Sequence, residues 1–371
     1  MILLTPGPTP VPENIRQAMA TQTLHHRTPE FEKIFASARE KLLKIFGTHE
    51  VIMLGSTGTG AMEAAVTNLC KKKLLFVNAG KFGERFGKIA KAFNIETVEL
   101  KYEWDTPASI DDVKTALKNH PDIDAIAVQI SESAGGLRHP AEEIAKTAKE
   151  INPNIQIITD GITTVGVEKI DISNIDALIA GSQKAFMLPP GLAMIGLSKQ
   201  AVEIIEKNPR GYYFNLASEL KVQKKNTTAY TAVTTLIQGL DAILSDIFQL
   251  GVENLYEITK KRHQASTKAL ESIGLNIYPK NPALSMTTDY HERADEIRKI
   301  IKNDFEANLA GGQDHLSGKI FRINNMGLIK PYEISWALNS VELALDKLKI
   351  REFDGTASRV FSQAFFKSSN D

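Results

Sequence analysis

The chain has 371 residues, and 44 Lys+Arg are balanced by 44 Asp+Glu, so the formal net charge is zero and neither a basic nucleic-acid footprint nor an acidic tail is present. At 43% hydrophobic and 24% charged residues the composition is that of a globular protein. The apolar runs at 51–54 and 192–197 are too short to span a bilayer, and the single cysteine, Cys70, excludes an internal disulfide and fits a reducing cytoplasm.

The N-terminus lacks a basic n-region and breaks at Pro6, so no signal peptide is expected. Pro6, Pro8, Pro10 and Pro12 predict an extended segment over residues 1–15 that packs on something larger. Thr28 is a good N-cap and Pro29 suits the first helical position. They start a helix over 29–46 with Phe31, Ile34, Phe35, Leu42, Leu43 and Phe46 on its apolar side.

From there the pattern alternates. Strand-like runs at 51–54, 74–77, 97–100, 125–130, 155–159 and 177–180 are separated mostly by helical patterns at 62–69, 84–93, 110–119 and 141–151. Such alternation predicts an α/β fold with a mostly parallel sheet between helices. A long apolar helix over 233–250 and another over 254–273 lead out of this region. The last third differs: helices at 294–305 and 332–348 flank strands at 275–278, 285–288 and 319–323, which makes a smaller α+β unit. The expected division is therefore an extended segment over 1–15, a large domain over 16–260 and a small C-terminal domain over 261–371. The tail after Arg351 is polar, and its end is expected to be mobile.

Four short runs carry candidate chemistry. Gly55-Ser56-Thr57-Gly58-Thr59-Gly60 joins a strand to a helix, where small residues let a ligand approach and the helix start offers free N–H groups. It reads as a phosphate cradle or as a tight turn. It is neither a P-loop nor a dinucleotide fingerprint, because no Gly-Lys-Ser/Thr follows and the glycines are spaced otherwise. Asp160 ends an apolar strand, where ligands of open α/β sheets gather; a helix cap or turn is the other reading. Lys184 follows the strand 177–180 through Gly181-Ser182-Gln183. Apolar surroundings would lower its pKa and make its amine nucleophilic, whereas taken alone it reads first as a solvated loop lysine, since lysines are common. Arg322 stands in a strand-like run and calls for a carboxylate, from a ligand or from the protein itself.

No run decides the matter alone, but their order does: cradle, strand-end Asp, strand-end Lys, C-terminal Arg. With Gly181-Ser182-Gln183-Lys184-Ala185 and Pro189-Pro190-Gly191 as its most specific piece, the chain resembles the class V aminotransferases of fold type I, over nearly its whole length. It looks nearest to the alanine–glyoxylate, serine–pyruvate and broad-specificity branch. The resemblance implies a pyridoxal 5′-phosphate (PLP) enzyme that transfers an amino group between a small amino acid and a small 2-oxo acid. It implies that Lys184 holds the cofactor covalently and that Asp160 faces the pyridine nitrogen. Thr57, Gly58 and Thr59, helped by Gln183, would hold the phosphate. Ser133 would approach the phenolic oxygen, Phe82 would stack on the ring, and Arg322 would bind the substrate α-carboxylate. Thr231, or alternatively Thr228, would reach the phosphate of a neighbouring subunit in a homodimer.

The chain departs from the family in three places. Ala229 and Ala232 stand where relatives usually have proline, which puts the path of the Thr228–Thr231 loop in doubt. Asn324 stands where glycine often follows the arginine clamp. Phe82 replaces the Trp of some relatives, with less stacking area, and core packing is its alternative role. Arg27, in His25-His26-Arg27, is a candidate for a distal carboxylate or phosphate, which would favour aspartate or phosphoserine. It reads equally as a solvated loop or a subunit contact. Three other readings fit less well. A cysteine desulfurase lacks a late nucleophilic cysteine, a nucleotide-binding oxidoreductase lacks the glycine spacing, and an accessory hydrogenase subunit would not need the full set of catalytic groups that this chain carries.

Overall fold

A computed structural model describes residues 1–367. Its centre is a seven-stranded sheet in the order Glu50–Leu54, Ala193–Leu197, Ala177–Gly181, Gln156–Asp160, Ile123–Gln129, Lys73–Asn78, Glu96–Lys101. All expected strands of this region are present within a residue or two. The sheet is mixed, however: Ala193–Leu197 runs antiparallel to both of its neighbours, while the remaining pairs are parallel. Ala193–Leu197 is a fully buried strand and carries the same alternation as its neighbours.

That alternation assigns each strand residue to a face. Val51, Met53, Leu75, Val77, Ile126, Val128, Ile157 and Leu178 enter one apolar cluster. Ile52, Leu54, Leu74, Phe76, Ala125, Ala127, Ile158 and Ile179 enter the other. Both faces are covered by helices, which is why the strands read as unbroken apolar runs. The first long helix spans Pro29–Phe46; the Thr28 side chain accepts from Phe31 N, and Gly47 ends the helix in the left-handed conformation at φ 65°.

The second sheet has five strands in the order Ile2–Leu4, Ala307–Gly311, Ile320–Asn324, Met286–Tyr290, Asn276–Ile277. Ile2–Leu4 runs parallel to Ala307–Gly311, so the N-terminal segment begins as a strand of the C-terminal unit. It is not extended throughout, because a helix already starts at Glu13 and runs to Met19. The tail after Arg351 also differs from expectation. It folds into a helix at Thr356–Lys367 with Ala357 and Phe361 buried. The expected mobility at the chain end falls on residues 368–371, outside the described residues. Among the described residues, no helix is long and apolar enough to cross a membrane.

Candidate active site

Three strand ends converge at the carboxyl edge of the main sheet. Glu50–Leu54 leads into the helix Gly58–Leu69, Gln156–Asp160 ends in its carboxylate, and Ala177–Gly181 leads into Lys184. With the loop after Ile123–Gln129 they enclose a cavity of about 160 Å³. Thr57, Gly58, Thr59, Phe82, Arg85, Ser131, Ser133, Asp160, Ile162, Thr163, Gln183 and Lys184 line it. Eight of these positions, Thr57, Gly58, Thr59, Phe82, Ser133, Asp160, Gln183 and Lys184, are expected from the sequence.

The turn that presents Lys184 is held by Ser182. Its Oγ donates to Pro189 O at 2.7 Å and accepts from Leu192 N at 3.3 Å, so Pro189-Pro190-Gly191 closes the loop back onto the strand. The N-terminal segment crosses this turn. Thr9 Oγ1 donates to Lys184 O at 2.7 Å, and Lys184 Nζ donates to Pro6 O at 2.6 Å. Gly7, at φ +108°, has no room for a Cβ, which would lie 2.3 Å from Lys184 Nζ.

Burial sets the charges. It pulls the Lys184 amine down to about 8, helped by the Arg322 charge and opposed by Asp160. Burial pushes the Asp160 carboxyl up to about 6, while Ile162 N–H, Lys184 and Arg85 pull it back. Asp160 Oδ1 accepts from Ile162 N at 2.9 Å. The two groups thus line one cavity with pKa values drawn toward each other, as catalytic acids and bases do.

The start of the Gly58–Leu69 helix carries no acidic residue in its first turn, and the Thr57 side chain makes no capping bond. Its N–H groups and positive dipole end are therefore available to an anion. Around it, Gln183 Oε1 and Thr163 Oγ1 are buried without partners. Buried polar atoms of this kind call for a ligand.

Arg322 lies on the Ile320–Asn324 strand and is 7% exposed. The sequence suggests a carboxylate partner; in the structure its Nη1 donates to Ser133 O, its Nη2 to Gly311 O at 2.5 Å, and its Nε is buried without a partner. Asn324 folds back on its own chain, accepting from Met326 N at 3.0 Å and donating to Met326 O at 3.2 Å.

Thr228, Thr231 and Arg27 are not brought to this cavity by the chain's own fold. Thr228 and Thr231 line a neighbouring depression with Gly55 and Tyr230, and Thr228 Oγ1 donates to Tyr230 O at 2.5 Å. Arg27 is exposed. Its loop touches the same stretch, since Thr227 Oγ1 donates to His26 O at 3.3 Å.

Arg85 and Glu132 are the site residues that sequence reasoning missed as participants. Arg85 lies three residues after Phe82, on the same helical face, and that spacing was the signal. Glu132 is fully buried. Its Oε2 accepts from Phe82 N at 3.0 Å and Gly83 N at 2.9 Å, and its Oε1 accepts from Ala134 N at 3.0 Å. Burial raises it to about 7. Cys70 is buried at the end of its helix, with its thiol pushed up by burial and by Asp124; it is no nucleophile.

A lysine and an aspartate facing each other beside an anion cradle, at the edge of a sheet covered on both faces, define a fold type I PLP-dependent transferase. The class V aminotransferase family model matches residues 3–304, and the chain belongs to that family. It is 52% identical to a Helicobacter pylori protein described as an uncharacterized aminotransferase, over 99% of this chain and all of that one. It is 29% identical to the serine–glyoxylate aminotransferase of Methylorubrum extorquens, over 96% of this chain and 94% of that one. The crystal structure of a subgroup IV aspartate aminotransferase from Thermus thermophilus superposes with a TM-score of 0.87 at 31% identity, covering 94% of this chain and 99% of that one. The protein is thus a PLP-dependent aminotransferase, acting on amino acids and 2-oxo acids. The residues around the cavity fit the cofactor: a nucleophilic amine, an opposed carboxylate, free helix N–H groups and unpartnered polar atoms are all present.

Proposed function

We propose that the chain transfers an amino group between a small amino acid, such as alanine or serine, and a small 2-oxo acid, glyoxylate or pyruvate. The observation that carries this reading is the convergence of Lys184, Asp160 and the Thr57–Thr59 turn on one cavity of about 160 Å³. The likeness to a serine–glyoxylate aminotransferase supports it.

When bound, PLP supplies an electron sink for the substrate's Cα. Lys184 would hold the cofactor, and its amine, once freed by the incoming amino group, would take the proton from the substrate's Cα and deliver it to the cofactor, as base and then acid. Asp160, as a carboxylate, would hold a proton on the pyridine nitrogen. The N–H groups of Gly58 and Thr59, the Thr57 hydroxyl and Gln183 bind the phosphate. Phe82 would stack on the ring and Ser133 would meet the phenolic oxygen. Arg322 orients the α-carboxylate with the N–H groups left over from its two carbonyl bonds.

Thr231 and Thr228 serve a partner's phosphate in a cytoplasmic homodimer. Their placement beside Gly55, at the entry to the cradle, supports this assignment. Residues 16–260 form the cofactor-binding unit and 261–371 the smaller one, with the Val252–Ser272 helix spanning the junction.

A second reading, in which the donor is aspartate or phosphoserine, draws on the likeness to an aspartate aminotransferase and on the exposed Arg27. A panel of amino donors against glyoxylate, pyruvate and 2-oxoglutarate separates the two. Alanine or serine turnover well above aspartate and phosphoserine is expected, and the reverse order would overturn the proposal.

A further inference from the structure

We propose that Arg85 is the counter-cation of the cofactor's phosphate and acts through the Thr59 hydroxyl. The proposal rests on the Thr57–Thr59 turn being the phosphate cradle. Arg85 sits on the Lys81–Ala92 helix, three residues after Phe82. Its Nη1 donates to Thr59 Oγ1 at 2.8 Å, and its Cζ lies 4.7 Å from the centroid of the Phe82 ring. Among the described residues, no carboxylate forms an ion pair with it. A half-buried guanidinium without an acid is poorly compensated and attracts an anion.

The hydrogen-bond chemistry of Thr59 gives the direction. A hydroxyl has one proton to donate. Because Thr59 Oγ1 accepts from Arg85, its own proton is free to point at a second acceptor. Thr59 stands in the first turn of the Gly58–Leu69 helix, beside free N–H groups. The buried Thr163 hydroxyl, in a residue only 3% exposed, lines the same cavity without a partner. An anion seated there would collect the helix N–H groups and the Thr59 hydroxyl, with one positive charge directly behind. Lys184 is the cavity's other lining cation, and it is committed to the aldehyde end of the cofactor. Arg85 is therefore a positioning residue: it orients a donor and supplies charge without touching the reacting atoms.

The test compares two ligands that differ only in the phosphate. The affinities of pyridoxal 5′-phosphate and of pyridoxal are measured spectroscopically on the cofactor-free, full-length chain. The proteins are wild type, Arg85→Gln, Arg85→Lys, Thr59→Val and the Arg85→Gln/Thr59→Val double variant. Arg85→Gln should weaken the phosphorylated ligand about ten- to a hundredfold, the range for a lost charge-assisted bond, and leave pyridoxal within about twofold. Arg85→Lys keeps the charge but loses the fork, so it should lie in between; it also serves as the test should the Gln variant fail to fold. The double variant should lose less than the two single losses combined, because both residues act on one bond. Inorganic phosphate should raise the melting temperature of the wild type and not that of Arg85→Gln. Equal weakening of pyridoxal would reduce Arg85 to a prop for the Phe82 ring and overturn the proposal. Loss in Thr59→Val but none in Arg85→Gln would overturn it while leaving the cradle intact. No loss in either would remove the cradle assignment and the proposal together.

Discussion

Replacing Lys184 by methionine should make the cofactor-free protein more stable at neutral pH while abolishing turnover. The amine is pulled from 10.5 to about 8 by burial and by Arg322, so the folded chain holds the ammonium about 3 kcal/mol less favourably than the unfolded chain does. Methionine removes that penalty and fills a similar volume. It also deprives Pro6 O of its donor at 2.6 Å, which returns about 1 kcal/mol and leaves a net gain of about 2 kcal/mol. The pH window follows from the direction of the shift. Between 8 and 10.5 the unfolded chain binds more protons than the folded one, so wild-type stability rises with pH. The variant's advantage is therefore full below pH 8 and gone once the pH passes 10.5. Urea denaturation of both cofactor-free proteins at pH 7 and pH 10.5 measures it. A variant less stable than wild type at pH 7, or an advantage that persists unchanged at pH 10.5, would refute the assignment of a strained, buried ammonium.

The same shift governs how fast the cofactor is captured. At pH 7 about a tenth of the Lys184 amines are unprotonated, against about 0.03% at the ordinary lysine value, so stopped-flow capture of PLP should rise with pH and level off above about 8. Asp160→Asn should leave the fold intact and lower kcat about a hundredfold or more, as for loss of a preorganised charge partner; a change under about threefold, less than about 1 kcal/mol in the barrier, would exclude Asp160 as the pyridinium partner. Arg322→Ala should lower kcat/KM by a similar factor for alanine, serine, aspartate and phosphoserine, whereas Arg27→Ala should affect only the two anionic donors if Arg27 binds a distal group; a loss confined to alanine on Arg322→Ala would show that the clamp lies elsewhere. Sedimentation should give a dimer at working concentration, and an active monomer would contradict the shared site expected from Thr228 and Thr231.

Most of the main sheet was legible because its strands are buried on both faces. A run such as Ile157-Ile158 feeds two cores at once, and only a strand flanked by helices does that. The helices Ile110–Asn119 and Ala141–Ile151 were equally clear, because each begins and ends at a change in pattern. The orientation of Ala193–Leu197 was not, since an apolar run does not state which way it runs; that depends on the hydrogen bonds to Ala177–Gly181. The tail misled for a different reason. Its helix buries only Ala357 and Phe361 on one narrow face, and polar residues outnumber that signal. In the site, the motif residues were found because chemistry constrains them in sequence. Arg85 bonds Thr59 and Glu132 bonds Phe82 and Gly83, partners at least 26 positions away, so only the spacing of Arg85 from Phe82 gave a local sign.

The N-terminal segment links the small sheet to the chemistry. Ile2–Leu4 pairs residue for residue with Ala307, Asn308 and Leu309, and Leu4 is fully buried in the cluster of that unit. Two residues further on, the Pro6 carbonyl accepts a hydrogen bond from Lys184 Nζ. At its other end, the strand Ala307–Gly311 offers the Gly311 carbonyl to Arg322. One short strand therefore sets the position of both the lysine's acceptor and one arm of the arginine fork. Lys184 follows a strand of the seven-stranded sheet and Arg322 lies on a strand of the five-stranded one. The N-terminal segment is one tie between them, with Ile2–Leu4 paired at three residues and Thr9 Oγ1 on Lys184 O, and Arg322 on the Ser133 carbonyl is another. A chain that lacked this segment would keep its cradle, its aspartate and its lysine. It would lose the Pro6 acceptor of the amine and the edge strand beside Ala307–Gly311.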